Sequence, residues 1–318
     1  MGRQTSLATL AILLSLTASA GGQRPTFRAD TDLVTFGVTV TDRSGAFVAD
    51  LTASDFEVVE NGHPQPLQLF VRGDAADVAP PLHLGLLFDT SASMGENIQL
   101  ARSAAIKFLN TLTEARDITL VDFDTEVRVA KYGQADFPRM VERIRSRKPA
   151  GMTALYDALG VYLDGASEDQ GRTILLLYTD GGDTRSATAF SGIMDLVRAS
   201  DVTIYAIGFL EQLPSSIRSD QRMRLQQLAG ETGGHVVFPQ SMKDVDKAYV
   251  RIVAQMRAQY TLGYVSSHAS ADGTWRRVDI KVRAPDGRAL KLHARKGYYA
   301  PYRQEAGGGG QAAGSRSK

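Results

Sequence analysis

Apolar and polar residues alternate near the start of the chain, in runs that predict β-strands buried on one face. These runs cover residues 33–40, 56–60 and 67–71. The Asn61-Gly62 pair between two of them has the composition of a tight hairpin turn. We therefore predict an all-β segment over residues 27–75.

Residues 80–258 show a different pattern, in which apolar runs alternate with stretches of helical spacing. Nearly continuous apolar runs predict strands, most of them covered on both faces, at residues 82–88, 118–123, 173–178, 202–207 and 235–238. Helical spacing of apolar residues predicts helices at residues 98–112, 153–163, 222–228 and 243–255. Repeated units of this kind predict an α/β domain with a doubly wound, mostly parallel sheet and helices on both faces.

The alternating pattern returns in residues 259–302, where Asp-Gly turns separate the apolar runs. Three strands are predicted there, at residues 260–265, 275–283 and 289–294. Because neither β segment is large enough to form a core alone, we predict that 259–302 pairs with 27–75. The α/β domain would then be inserted in a small all-β sandwich. The alternative is that both segments add strands to the α/β sheet.

The two ends of the chain have compositions that do not fit a folded core. Residues 1–20 resemble a secretory signal peptide: Arg3 precedes a short apolar run, and Ala18-Ser19-Ala20 is a small-residue cleavage site. The alternative is an uncleaved membrane anchor. After cleavage no stretch reaches the roughly 18 apolar residues that a membrane span needs. We therefore expect a periplasmic or extracellular protein, with a flexible Gly-rich tail at residues 303–318.

Charge and cysteine content narrow the classes of function. The 318 residues include 36 Lys and Arg, 35 Asp and Glu, and no Cys. A chain so close to neutral is a poor candidate for binding nucleic acid. The lack of Cys excludes disulfides, thiolate metal sites and Cys nucleophiles.

Oxygen-bearing side chains follow two of the predicted parallel strands. Asp89, Ser91 and Ser93 alternate directly after the first strand, and Asp180 follows the strand at residues 173–178. A third loop brings Thr153 to the start of a helix. Ligands of doubly wound sheets bind beyond the carboxyl ends of the strands, so we expect these side chains to converge there.

All five donors are hard oxygen atoms, which favour a hard cation. Mg²⁺ suits them best, Mn²⁺ is a close second and Ca²⁺ fits less well. Two carboxylates roughly neutralise a divalent ion, and the weak hydroxyl donors leave it electrophilic. We expect a remaining coordination position to hold water that an Asp or Glu carboxylate of a partner protein can displace.

Three motifs in this order resemble the metal-ion-dependent adhesion site of von Willebrand factor A-type domains. They are Asp-x-Ser-x-Ser at 89–93, Gly-x-Thr at 151–153 and Thr-Asp-Gly at 179–181. The resemblance covers about residues 82–258 and implies a non-enzymatic adhesion module in which Asp180 often acts through water. The flanks, including residues 295–299, resemble more loosely those of exported bacterial proteins related to this family. Ligation in related domains moves the last helix, which here leads directly into the C-terminal β segment.

Two other functions remain as alternatives, namely a structural envelope protein with a stabilising metal and, with less support, a metal-dependent hydrolase. A hydrolase with Asp89 as nucleophile would need a carboxylate two residues later, where Ser91 stands. The sequence also contains no Gly-x-Ser-x-Gly elbow and no Gly-rich phosphate loop. We therefore predict that the protein is not an enzyme, and we interpret Asp183 as a turn or cap residue.

Overall fold

The computed structural model describes residues 33–73, 81–111, 115–166, 171–268 and 272–301. All of these residues fall within one compact unit. The predicted signal peptide (residues 1–20) and Gly-rich tail (residues 303–318) lie outside the described residues.

The strands and helices follow the predicted order along the chain. The strands are β1 (Leu33–Thr41), β2 (Phe56–Glu60), β3 (His63–Gln65), β4 (Leu69–Arg72), β5 (Leu82–Asp89), β6 (Ala115–Phe123), β7 (Val127–Gly133), β8 (Arg172–Thr179), β9 (Thr203–Gly208), β10 (Val236–Val237), β11 (Tyr260–Val265), β12 (Trp275–Val282), β13 (Lys291–His293) and β14 (Gly297–Tyr299). The helices are α1 (Ile98–Thr111), α2 (Phe137–Ser146), α3 (Leu155–Ala166), α4 (Phe190–Ala199), α5 (Ser215–Glu231) and α6 (Met242–Ala258).

The central sheet has the strand order β10-β9-β8-β5-β6-β7. Its strands are parallel except for β7, which pairs antiparallel with β6 at one edge. The predicted α/β fold with a doubly wound, mostly parallel sheet is thus confirmed. None of the described helices is long and apolar enough to cross a membrane.

Helices cover both faces of the central sheet, which explains the continuous apolar run of β5. Leu86 and Phe88 pack against α1, α2 and α6 on one face, whereas Leu87 packs against α3, α4 and α5 on the other. Gly85 leaves room for a helix side chain, because a Cβ atom there would lie 2.2 Å from the ring of Tyr162. Every residue of β5 is buried as a result.

The strands of the two flanks pair with each other and form two separate four-stranded sheets. Their strand orders are β13-β1-β11-β4 and β14-β12-β2-β3. Antiparallel pairing of β1 with β11, and of β2 with β12, joins the N-terminal flank to the C-terminal one. Side chains from both sheets, including Phe36, Phe56 and Tyr260, share one core. The flanks thus form the predicted sandwich instead of extending the central sheet.

Several elements differ from the sequence prediction. Helix α2 is missing from the prediction, although Phe137, Met140, Val141 and Ile144 stand at helical spacing and pack on the core. Helix α4 is also not predicted, although Ile193, Met194 and Val197 are buried at helical spacing. Strands β3 and β14 are additional pieces of three residues each. The domain limits of 27–75, 80–258 and 259–302 stay a prediction.

Candidate metal-binding site

The carboxylate of Asp89 connects the ends of the two central strands. Asp89 is the last residue of β5 and is fully buried. Its Oδ1 accepts a hydrogen bond from the backbone N–H of Ser91 at 2.9 Å, which shapes the loop after β5. Its Oδ2 accepts one from the hydroxyl of Thr179 at 2.7 Å, at the end of β8. Asp89 is therefore held in one orientation by the loop after its own strand and by the neighbouring strand β8.

Asp180 directly follows Thr179, and one of its carboxylate oxygen atoms accepts no hydrogen bond from the described residues. Its Oδ1 accepts a hydrogen bond from the N–H of Gly182 at 3.3 Å. Its Oδ2 is buried and has no hydrogen-bond partner in the part of the chain that the structure describes. Gly181 turns the chain between these residues with a φ of +83°, a backbone conformation that favours glycine. The loop thus buries a carboxylate with unused acceptor capacity.

The two serines of the first motif lie next to each other in the loop after β5. The Oγ atoms of Ser91 and Ser93 are 3.0 Å apart. Ser91 is buried and Ser93 is exposed, so the loop runs from the interior to the surface. The fully buried side chain of Met94 anchors the short 3₁₀ turn that contains Ser93.

The loop that carries Thr153 is hydrogen-bonded to the loop after β5. The N–H of Ala150 donates to the carbonyl of Thr90 at 2.9 Å, and the N–H of Ala92 donates to the carbonyl of Gly151 at 3.1 Å. Gly151 has a φ of +75°. These bonds bring the loops of the first two motifs together at the carboxyl edge of the sheet.

Thr153 itself is joined to the loop that follows Asp180. It is almost fully buried and directly precedes Ala154, one residue before α3. Its N–H donates to Thr184 Oγ1 at 3.0 Å, and its carbonyl accepts from the N–H groups of Thr184 and Arg185 at 2.9 and 3.0 Å. Hydrogen bonds therefore link all three motif loops, although those of Thr153 run through its backbone.

Burial and the nearby charge of Asp180 raise the pKa of Asp89 to about 7, from an ordinary value of 3.8. The hydrogen bonds from Ser91 and Thr179 oppose this rise only in part. Among the described residues, no cationic side chain donates a hydrogen bond to these two carboxylates. A divalent cation would compensate both charges.

The donor set fits a hard divalent ion. It combines two carboxylates with three hydroxyl groups, and the unpartnered Asp180 Oδ2 can accept from a water molecule of the ion's coordination shell. This donor set has only two carboxylates. The described part of the chain contains no group of three or more Asp, Glu, His or Cys side chains that could hold a metal ion.

Two further residues support the site without being among the predicted ligands. Thr179 orients Asp89, a role that its position before Asp180 does not reveal. Asp183 holds the start of α3, because its Oδ2 accepts from the N–H of Tyr156 at 2.9 Å and from the hydroxyl of Ser186 at 2.6 Å. This agrees with the interpretation of Asp183 as a cap residue.

A cluster of three arginines next to the Thr153 loop was not apparent from the sequence pattern. Asp122, near the end of β6, is 1% exposed. It accepts from Arg128 Nε at 2.8 Å and from Arg143 Nε at 2.5 Å, and its Oδ2 lies 2.9 Å from Arg147 Nε. Arg147 leads into the loop of residues 149–153, so this cluster fixes the start of that loop. Only the fold brings these four residues together.

The fold and the three hydrogen-bonded loops define an α/β domain with carboxylate and hydroxyl side chains at the carboxyl edge of its central sheet. The family model of the von Willebrand factor type A domain matches residues 83–250, more than half of the chain. The chain belongs to this family, which confirms the family expected from the sequence. No curated protein matches the chain.

Several solved structures have a similar fold. An aerotolerance-related membrane protein from Bacteroides fragilis is 13% identical with a TM-score of 0.45, over 55% of this chain and 98% of that chain. A von Willebrand factor type A protein from Catenulispora acidiphila is 12% identical with a TM-score of 0.47, over 88% of this chain and 76% of that one. The manganese-loaded TRAP protein of Plasmodium vivax is 12% identical with a TM-score of 0.43, over 77% of this chain and 100% of that one. Similarity at this level concerns the fold alone.

Proposed function

We propose that this protein is an exported, non-enzymatic binding module whose domain holds a divalent cation. The proposed ligands are Asp89, Ser91, Ser93, Thr153 and Asp180, with Asp180 acting through water. A carboxylate from an Asp or Glu of a partner protein completes the coordination. The function is adhesion or capture of that partner.

The observation that carries this proposal is the uncompensated pair of carboxylates at the edge of the sheet. Asp89 and Asp180 are 0% and 3% exposed, and Asp180 Oδ2 has no partner. Burying negative charge without compensation is costly, so such a pair favours the binding of a cation. Mg²⁺ is the preferred ion for this all-oxygen set, Mn²⁺ comes next, and Ca²⁺ fits less well.

The surroundings of the two carboxylates support a cation that remains accessible to a partner. Ser93 is exposed, and the side chain of Met152 is 48% exposed beside Thr153. An ion bound between these loops would have protein ligands on its inner side and solvent on its outer side. The hydroxyl of Ser91 contacts Ser93 rather than a histidine base, which supports binding over nucleophilic catalysis.

Ligation of the cation is proposed to reach the sandwich through α6. The C-terminal end of α6 is held by Arg172, whose Nη2 donates to the carbonyl of Met256 at 2.6 Å and to Gln259 Oε1 at 3.2 Å. A Cβ atom at Gly73, directly after β4, would lie 2.6 Å from the carbonyl oxygen atoms of Arg257 and Gln259. Such close packing supports transmission of a movement of α6 to the flank strands.

The test is affinity capture of envelope proteins, in Mg²⁺ and in EDTA, with the wild-type chain and Asp89→Ala in parallel. The proposal predicts capture by the wild type in Mg²⁺ only, and none by Asp89→Ala. Thermal melts of both proteins, with and without Mg²⁺, accompany the capture. A large Mg²⁺-dependent rise in melting temperature with capture unaffected by EDTA would instead establish the structural alternative.

A further inference from the structure

Helix α5 packs directly against the loop that contains Asp180. A Cβ atom built on Gly181 would lie 3.0 Å from Cβ of Gln221 and 3.1 Å from Cδ1 of Leu225. Leu225 belongs to the core under this helix, so the helix position is fixed. The side chain of Gln221 therefore starts beside the residue that follows Asp180.

The amide oxygen of Gln221 is a buried acceptor without a donor, like one carboxylate oxygen of Asp180. Neither Gln221 Oε1 nor Asp180 Oδ2 has a hydrogen-bond partner among the described residues. A carbonyl oxygen and a carboxylate oxygen both accept hydrogen bonds, so neither can satisfy the other. Buried polar atoms in native proteins are almost always paired, so each of these acceptors calls for a donor such as a bound water molecule.

We propose that Gln221 belongs to the outer coordination shell of the cation site, an inference that rests on the proposed function. A water molecule bound to the cation uses an oxygen lone pair for the metal and keeps two O–H donors. One of them is donated to Asp180 Oδ2 and the other to Gln221 Oε1. Gln221 is thus a positioning residue, which orients the water and makes it a better metal ligand.

The test compares three variants of the full chain by calorimetric titration with MgCl₂ and with MnCl₂. Gln221→Leu removes the acceptor while nearly keeping the volume, and Gln221→Glu retains an acceptor. Gln226→Leu, at an exposed position of the same helix, is the matched control. Loss of an outer-shell partner costs about tenfold or more in metal affinity. We expect that loss for Gln221→Leu only, with Gln221→Glu binding at least as tightly as the wild type.

Thermal melts separate this role from a merely structural one. In EDTA, Gln221→Leu should melt no lower than the wild type, because it removes an unsatisfied buried acceptor. In Mg²⁺ the rise in its melting temperature should be smaller than that of the wild type. A lower melting temperature in EDTA with unchanged metal affinity would overturn the inference. Gln221→Met repeats the comparison if Gln221→Leu does not fold.

The outcomes for the two proposals are distinct. If the wild type binds neither cation, the proposed function fails and the role of Gln221 fails with it. If the wild type binds Mg²⁺ and Gln221→Leu binds it equally well, only the role of Gln221 is refuted.

Discussion

The buried carboxylate of Asp122 gives the most quantitative prediction about stability. Three guanidinium groups surround it at 2.5 to 2.9 Å, while its own side chain is 2% exposed. Asp122→Asn keeps the size of the side chain but leaves Arg143 and Arg147 without this carboxylate, while Arg128 keeps its ion pair with Asp124. Removing one partner of a buried ion pair costs about 3–5 kcal/mol. The arginine side chains are 21–36% exposed, so water will partly compensate them. We therefore expect a loss near the lower limit, about 3 kcal/mol.

The measurement is urea unfolding of the wild type and Asp122→Asn, with the slope of the free energy against urea checked for equality. For a chain of this size, with an unfolding entropy of about 2.1 cal/mol/K per residue, the same loss lowers the melting temperature by about 4–6 °C. Asp195→Asn is the matched control: Asp195 pairs with Arg198 at 3.3 Å, but its side chain is 66% exposed. An exposed pair of this kind should contribute less than about 1 kcal/mol. Equal losses in the two variants would refute the reasoning, because burial would then not determine the cost.

Two further predictions concern the metal site and the response to acid. Thr179→Val removes the hydroxyl that donates to Asp89 Oδ2, so the Kd for Mg²⁺ in calorimetry should rise about tenfold or more. Thr173→Val, at the opposite end of β8, should leave it unchanged. Burial and the charge of Arg251 lower the pKa of His235 to about 4 from 6.5. The unfolded chain therefore takes up this proton first, and the folded state loses up to about 3 kcal/mol as the pH falls from 6.5 to 4. In urea unfolding over this range, His235→Gln should remove that part of the loss, and parallel losses in both proteins would contradict the assignment.

The fold was predictable wherever burial alone determines the pattern. Strand β5 is covered on both faces, and its unbroken apolar sequence indicates this directly. Helix α2 carries the helical spacing of Phe137, Met140, Val141 and Ile144, but only two of these four residues are fully buried, and the prediction missed it. The pairing of β1 with β11 joins residues more than 200 positions apart, such as Leu33 and Val265. The composition of the two flanks suggested their association, but only the structure gives the register.

The proposed ligands could be chosen from the sequence because they occur in short motifs at strand ends. The residues that surround these motifs could not be predicted in this way. Asp122 is buried by arginines that come from β7, from α2 and from the segment after α2. Gln221 lies beside Gly181 through the packing of α5 against the loop after β8. Such contacts depend on the arrangement of separate elements, which spacing along one chain does not encode.

The most direct test of the central claim is calorimetric titration of the full chain with MgCl₂, comparing the wild type with Asp89→Ala. Circular dichroism of both proteins checks that the fold is retained. We predict that the wild type binds a single Mg²⁺ per chain and that Asp89→Ala binds none while keeping the wild-type spectrum. Absence of binding by the wild type, or equal binding by a folded Asp89→Ala, would contradict a cation held by these loops.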